Sequence, residues 1–303
     1  MSASVISKLG GGLGVLGFAA ISCINLTVSA APVVLVDDFL NAPSSAGWNL
    51  DTPPVSGEVQ WYLDGGSWAT STDGINRFSG RSAAVAALPS SVSLAVGDKL
   101  HVYLRYAIPQ ADPGPSTDPA YIITRVNNVL IGTYKSGANA PSAAGADLFA
   151  GPTHPTADWQ GYTASAVPAS NTLGISENDA ATGTDAAGYG PSRGTINPSP
   201  AITNIGWLGL QLTRTASGMD VTTLYQGGGD KNTVPATWAS SVSFSDTTVD
   251  TFVYDSLMMA MQRNGQNINM QYQRVVVEYV PVPEPASLGL LSLGGMALLR
   301  RRR

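Results

Sequence analysis

Cysteine and histidine are scarce in this sequence: of its 303 residues, one is Cys and two are His. One cysteine cannot form an intramolecular disulfide, and so few sulfur and nitrogen ligands exclude a typical zinc site. Charged side chains are scarce as well, at 12% against about 25% in typical soluble domains. Between residues 31 and 282, 20 acidic and 11 basic residues leave a formal net charge of −9. That surface disfavours nucleic acid and anionic membranes as partners.

Sustained helical periodicity is missing from residues 31–280. Apolar and polar residues alternate instead, which is the period of a β-strand, and turn-forming residues separate the segments. The pattern predicts a hairpin over 206–225 that turns at Ser217-Gly218 and a strand pair over 121–134 that turns at Asn127-Asn128. Further strands are predicted at 33–39, 58–63, 81–88, 99–108, 242–244, 251–261 and 273–280. The predicted fold is all-β: an antiparallel β-sandwich, or jelly roll, forming one domain over 31–280 rather than two smaller ones.

Two segments of this domain bear on function. In 99–108, Val102 and Leu104 fall on one face of a strand while His101, Tyr103 and Arg105 fall on the other, so that one face is core and the other can meet solvent or ligand. Residues 135–200 are poor in large apolar side chains, and we expect an excursion over the sandwich with one short strand.

The N-terminus has the parts of a secretory signal peptide. Lys8 supplies a positive charge, residues 9–24 are apolar, and Val28-Ser29-Ala30 offers small residues for cleavage. We therefore predict a signal peptide over 1–30. The alternative is lipidation at Cys23, because Ala20-Ile21-Ser22-Cys23 loosely resembles a lipoprotein cleavage box.

The C-terminus has three parts in a fixed order: Pro283-Glu284-Pro285, an uncharged segment over 286–299, and the cluster Arg300, Arg301, Arg302 and Arg303. The prolines prevent a helix from continuing back into the preceding strand. As a helix, 286–299 would be roughly 21 Å long and could span a bilayer only marginally. The arginines would hold their end in the cytoplasm. An ordinary tail anchor or a terminal core helix is the alternative.

This tail resembles the PEP-CTERM sorting signal of bacterial exported proteins, over residues 281–303. The resemblance implies a short transmembrane sorting helix and transient membrane anchoring. It also implies cleavage near the Pro-Glu-Pro triplet by an exosortase-type membrane protease, and delivery to the cell surface or an exopolysaccharide matrix.

The order of the predicted strands looks like that of concanavalin A-like lectin and glucanase sandwiches. Laminarinase-type enzymes of that fold use an E-x-D-x-x-E motif, because retaining hydrolysis needs two carboxylates roughly 5 Å apart. Before the tail the chain has three glutamates, Glu58, Glu177 and Glu278, and none has that spacing. Gly190 to Gly194 fits G-x-S-x-G, but the following Thr195-Ile196-Asn197-Pro198 cannot begin the helix of a nucleophile elbow.

We therefore expect a non-catalytic carbohydrate-binding, adhesive or structural protein. The alternative is a polysaccharide-degrading or modifying enzyme that uses aspartates. Four aromatic side chains in polar, glycine-containing segments are candidates for stacking on sugar rings: Trp61, Trp68, Trp159 and Tyr162. Trp48, Trp207 and Trp238 are further candidates, and core packing is the alternative for each of the seven. No cofactor is predicted except calcium, for which Glu177, Asp179 and Asp185 in a glycine-rich segment are candidate oxygen ligands. A solvated acidic loop is the alternative there.

Overall fold

The structure of the protein is a computed structural model. It describes residues 31–40, 57–63, 68–71, 74–77, 82–108, 126–137, 159–178, 192–263 and 270–282. The predicted signal peptide and the 286–299 segment lie outside these ranges. Within them, no helix is long and apolar enough to cross a membrane.

The described elements are strands, apart from a single 3-10 turn at Pro168–Ser170. The strands are β1 (Val33–Phe39), β2 (Trp61–Leu63), β3 (Trp68–Ser71), β4 (Gly74–Arg77), β5 (Ser82–Ser93), β6 (Lys99–Ala107), β7 (Val126–Lys135), β8 (Gln160–Val167), β9 (Thr172–Asn178), β10 (Ser192–Ile196), β11 (Ile205–Arg214), β12 (Met219–Gly227), β13 (Ser240–Asp246), β14 (Val253–Arg263) and β15 (Met270–Val280).

These strands form two antiparallel sheets. The first, sheet A, has the order β13-β12-β11-β6-β15-β4-β3, and β1 pairs with β15 beside β4. The second, sheet B, has the order β10-β9-β8-β7-β14-β5-β2. This arrangement confirms the predicted all-β sandwich and the predicted hairpin, which is β11 and β12 paired from Gly206 and Gly227 to Arg214 and Met219.

The core lies between the two sheets because successive side chains of a strand point to opposite faces. On β6, Leu100, Val102, Leu104 and Tyr106 are fully buried in the main core. The other face of β6 carries the predicted His101, Tyr103 and Arg105 and forms the outer face of sheet A. The inner faces also share a polar link, since the Thr223 hydroxyl on β12 donates to the Gly174 carbonyl on β9 at 2.9 Å.

Two predictions about local structure are wrong. Asn127 and Asn128 do not form a turn, because they lie inside the continuous strand β7. The segment 135–200 contains three strands of sheet B rather than one, β8, β9 and β10. Small residues weaken the hydrophobic pattern of β8, since Ala164 and Ala166 are buried in the main core beside Leu173 and Ile175 of β9.

The first and last strands bring the two ends of the domain together. Val33 of β1 is paired with Tyr279 of β15, and β15 also pairs with β6 along its other edge. Chain entry and exit therefore lie at the same end of sheet A.

Candidate functional site

A row of five polar side chains crosses the outer face of sheet A. In the strand register, Glu278 of β15 pairs with His101 of β6, His101 with Gln211 of β11, Gln211 with Thr222 of β12, and Thr222 with Ser243 of β13. With neighbouring strands about 4.8 Å apart, the row spans roughly 19 Å. We call these five residues the polar strip.

The strip offers both donors and acceptors. The Glu278 carboxylate lies 3.8 Å from His101 Nδ1, and the hydroxyls of Thr222 and Ser243 are hydrogen bonded at 2.9 Å. The Gln211 amide donates to the Tyr103 hydroxyl at 3.0 Å. None of the five is buried, and Ser243 is exposed, so the strip can form hydrogen bonds with a bound molecule.

Beside the strip, the connection between β12 and β13, residues 228–239, lies across the same face. Three side chains of the sheet donate to its backbone: Arg105 to the Gly229 carbonyl at 2.8 Å, Trp207 to Asp230 at 3.1 Å, and Arg274 to Lys231 at 3.2 Å. Burial lowers the pKa of Arg105. The free-energy cost of burying this charge is offset by hydrogen bonds to the backbone carbonyls of Tyr106, Gly206 and Gly229. These contacts hold the 228–239 loop in place.

The loop places Trp238 on Tyr103. The two rings are stacked, with centroids 5.5 Å apart and an interplanar angle of 20°. Tyr103 is 5% exposed, and burial raises its pKa to about 12, whereas Trp238 is only partly buried. A Cβ on Gly209 would lie 3.0 Å from the Tyr103 ring, so glycine there leaves room for the stack. Trp238 is thus an aromatic surface next to the polar strip.

Three of the four predicted stacking residues are buried instead. Trp61 is 3% exposed and donates to the Asp38 carboxylate at 2.9 Å. Trp159 is 1% exposed and packs against Tyr134, and Tyr162 is 2% exposed in the main core. Their rings contact protein, and a sugar would have to displace that packing. The side chain of Trp68 lies outside the described part. Sugar stacking by these four residues stays a prediction, and Trp238 has the more accessible ring.

Glu177 belongs to a buried cluster of charged and polar groups. Arg193 Nε donates to its Oε2 at 2.7 Å, and Glu177 shares a hydrogen bond with Asp246. Asp246 accepts from the Tyr162 hydroxyl at 2.5 Å and from the amide and hydroxyl of Thr248 at 2.8 and 2.9 Å. Burial, and then the charge of Asp246, raise the pKa of Glu177 to about 7, although Arg193 opposes this. Burial would raise the pKa of Asp246 too, but its hydrogen bonds hold it below the usual value.

The predicted calcium ligands are not brought together in the described part of the chain. Asp179 and Asp185 lie outside it, and Glu177 is paired with Arg193. Within the described ranges, no three or more His, Cys, Asp or Glu side chains form a group able to hold a metal ion. The cavity beside Glu177 has a volume of about 10 Å³, which is room for about one water molecule and not for a sugar ring.

The junction between the domain and the C-terminal tail is fixed by Asp98. This carboxylate is 3% exposed and accepts three hydrogen bonds: from the Ala95 amide at 2.8 Å, the Tyr279 hydroxyl at 2.6 Å and the Val282 amide at 2.7 Å. The described chain ends at Val282, which directly precedes the Pro-Glu-Pro triplet.

Comparison with protein-family models identifies the segment that follows. Residues 281–303 match the model described as the PEP-CTERM protein-sorting motif. The chain carries a PEP-CTERM motif. It is therefore an exported protein whose precursor is anchored in the membrane and sorted to the cell surface. No curated protein matches the sequence.

Several solved structures are similar to this chain at low sequence identity. The Ca²⁺-bound VIP36 exoplasmic/lumenal domain is 9% identical, with a TM-score of 0.47, 80% of this chain covered and 88% of that chain. The legume lectin-like domain from Entamoeba histolytica is 12% identical, with a TM-score of 0.41 and coverages of 74% and 90%. The metal-free Emp46p carbohydrate recognition domain is 11% identical, with a TM-score of 0.43 and coverages of 72% and 87%.

Proposed function

We propose that this PEP-CTERM protein is a non-catalytic carbohydrate-binding component of the cell surface, with its binding face on the outer side of sheet A. The observation that carries the proposal is the partly exposed Trp238, stacked on Tyr103 beside the polar strip. Carbohydrates offer hydroxyls that match such a row of donors and acceptors, and apolar ring faces that pack on an aromatic side chain. The ligand class that fits a surface-sorted protein is exopolysaccharide.

Processing by an exosortase-type protease is part of the same proposal. The motif supplies the cleavage region around Glu284, and Val282 is the last described residue held by the folded domain. Cleavage there would release the sandwich from its membrane anchor without removing any strand.

The test is to incubate the purified protein with a panel of bacterial and algal polysaccharides, with and without calcium, scoring both retention and product release. We expect retention without products. Release of shortened chains or unsaturated ends would overturn the non-catalytic assignment and favour the polysaccharide-modifying alternative. Binding that requires calcium would support a metal site outside the described residues.

Variants locate the binding face. Trp238→Ala should weaken binding about fivefold, because an aromatic contact is worth on the order of 1 kcal/mol. Thr222→Val removes a hydroxyl of the strip, and Thr195→Val, on exposed β10 of sheet B, is its matched control. Unchanged binding in both Trp238→Ala and Thr222→Val would show that sheet A is not the binding face.

A further inference from the structure

A cleft lies at one end of the sandwich between two loops. The turn between β11 and β12, residues 215–218, forms one wall, and the connection between β13 and β14, residues 247–252, forms the other. Its volume is about 470 Å³, within the range of small-molecule sites. We call it the Arg214 cleft, because Arg214 at the end of β11 lines it.

Arg214 is held rigidly at the cleft wall. Its backbone carbonyl accepts from the Gly97 amide at 2.7 Å, and its amide donates to the Asp98 carbonyl at 3.0 Å. The guanidinium lies 4.1 Å from the centroid of the Phe252 ring, and its Nη1 donates to the Leu94 carbonyl. A stacked guanidinium with a fixed backbone is preorganised, so little conformational entropy is lost when it binds a ligand.

The charge of Arg214 is not neutralised within the described structure. No described carboxylate lies within ion-pair distance of it, in contrast to Arg193 and Arg274, which pair with Glu177 and Asp37. Its Nε is buried and finds no acceptor among the described residues. That buried atom cannot reach a ligand in the cleft, but the charge of the guanidinium has no carboxylate partner among the described residues, which favours an anionic ligand group at its other nitrogens.

The rest of the cleft combines hydroxyl and apolar groups. Thr215, Ser217 and Thr247 supply hydroxyls, and Val249 supplies an apolar wall. A planar carboxylate matches the guanidinium fork, sugar hydroxyls match the serine and threonine side chains, and a sugar ring's C–H face matches the valine.

We propose that the Arg214 cleft binds a sugar that carries a carboxylate, as a second site separate from the polar strip. The inference takes its ligand class from the proposed function, but its position and its charge requirement are independent of sheet A.

The experiment compares oligogalacturonates with neutral oligogalactosides of equal length, titrated calorimetrically into the purified protein at low salt. Arg214→Gln should weaken oligogalacturonate binding at least tenfold and leave neutral oligosaccharide binding unchanged. Lys135→Gln, which removes an exposed positive charge at the end of β7, is the matched control and should change neither. If Arg214→Gln is unfolded by circular dichroism, Ser217→Trp, which fills the cleft from an exposed position, should cause the same selective loss.

Each other outcome has a defined meaning. Binding of the neutral ligand alone overturns this inference and leaves the proposed function standing. Binding of neither ligand also overturns this inference, and the proposed function is then decided separately by the polysaccharide panel. If Trp238→Ala weakens oligogalacturonate binding as much as Arg214→Gln does, the acidic sugar binds on sheet A and the proposal of a separate site is overturned. Displacement by inorganic sulfate at the same concentration, or Arg214-dependent binding to anionic lipid vesicles, would show an anion site without sugar specificity and overturn the sugar assignment.

Discussion

At the residue scale, Glu177 shows how burial changes the groups that a carboxylate contacts. Its sequence context of glycine and neighbouring acidic residues suggested a calcium ligand, but the folded chain pairs it with Arg193 and with Asp246. That pairing could not be read from the sequence, because its partners are contributed by β10 and the end of β13. The pairing of β9 with β10 in sheet B and the packing of β13 from sheet A bring the three side chains together.

The raised pKa of Glu177 predicts a pH-dependent stability. The folded value of about 7 lies above the ordinary 4.5, so the native state binds this proton more tightly than the unfolded chain. The stabilisation is fully present below about pH 4.5 and is lost as the pH rises through 7, with a full size on the order of 3 kcal/mol. Glu177→Gln cannot titrate and should flatten the stability profile between pH 4.5 and 7, measured by urea unfolding.

The control for this profile is Glu58→Gln, which removes a carboxylate outside the cluster and should leave the slope in place. The pKa of Asp246 is lowered from its usual value of 3.8. Asp246 should therefore stabilise the fold above pH 3.8, and this stabilisation is lost as the pH falls further. Its effect therefore lies below the tested range. A Glu177→Gln profile as steep as that of the wild type would contradict the assignment.

Asp98 is a second single residue with a measurable effect. Asp98→Ala would leave the Ala95 amide, the Tyr279 hydroxyl and the Val282 amide without their acceptor, and should lower the free energy of unfolding by about 2 to 4 kcal/mol. The matched control is Asp220→Ala, since Asp220 is exposed and accepts only from Ser245 among its described contacts. Denaturant unfolding that gives both variants the same stability would refute this role for Asp98.

At the element scale, the β11–β12 hairpin was predictable because alternation and the Ser217-Gly218 turn agree. A Cβ on Gly218 would lie 1.8 Å from the Asp246 carbonyl oxygen, so the turn must approach the end of β13 closely. Gly218→Ala should therefore cost more than about 2 kcal/mol of stability. Gly228, with φ +68° and nothing within 4 Å of an added Cβ, provides the comparison.

Gly228→Ala should lower the free energy of unfolding by only about 1 kcal/mol, because an alanine there must adopt a left-handed backbone conformation but meets no other atom. Thermal unfolding of the two variants separates a steric effect from a conformational one. An equal or smaller loss in Gly218→Ala would mean that the loop can move away from β13.

The strands β8 to β10 could not be predicted fully from the hydrophobic pattern of the sequence. Ala164 and Ala166 on the inner face of β8 are small, so hydrophobic contrast is weak in the sequence there, although both are buried beside Leu173 and Ile175 of β9. The polar strip was only partly predictable for a related reason. The outward face of β6 follows from alternation, but Gln211, Thr222 and Ser243 join His101 only through the register of four strands. Whether an aromatic ring is exposed depends on what packs over it, and this separates Trp238 from Trp61 and Trp159.

At the scale of the whole molecule, the PEP-CTERM motif was predictable from the sequence, because it is a contiguous order of residue types over 281–303. Replacing Pro283-Glu284-Pro285 by three alanines should block the proposed exosortase-type processing. The longer, unprocessed protein should then accumulate in the membrane fraction, detected by mass spectrometry of the C-terminal peptide. Pro281→Ala, just upstream, is the control, and normal release of the triple-alanine variant would contradict the proposed cleavage region.

The position of β15 has a mechanical consequence. The tail continues directly from this strand, which is hydrogen bonded to β6 on one edge and to β1 and β4 on the other. While the tail is anchored in the membrane, any force on the cell-surface domain is transmitted along β15. Ladder hydrogen bonds run perpendicular to that direction, so they are sheared together rather than peeled one at a time. The anchored domain should therefore resist being unravelled by drag from flowing liquid or from a bound polymer.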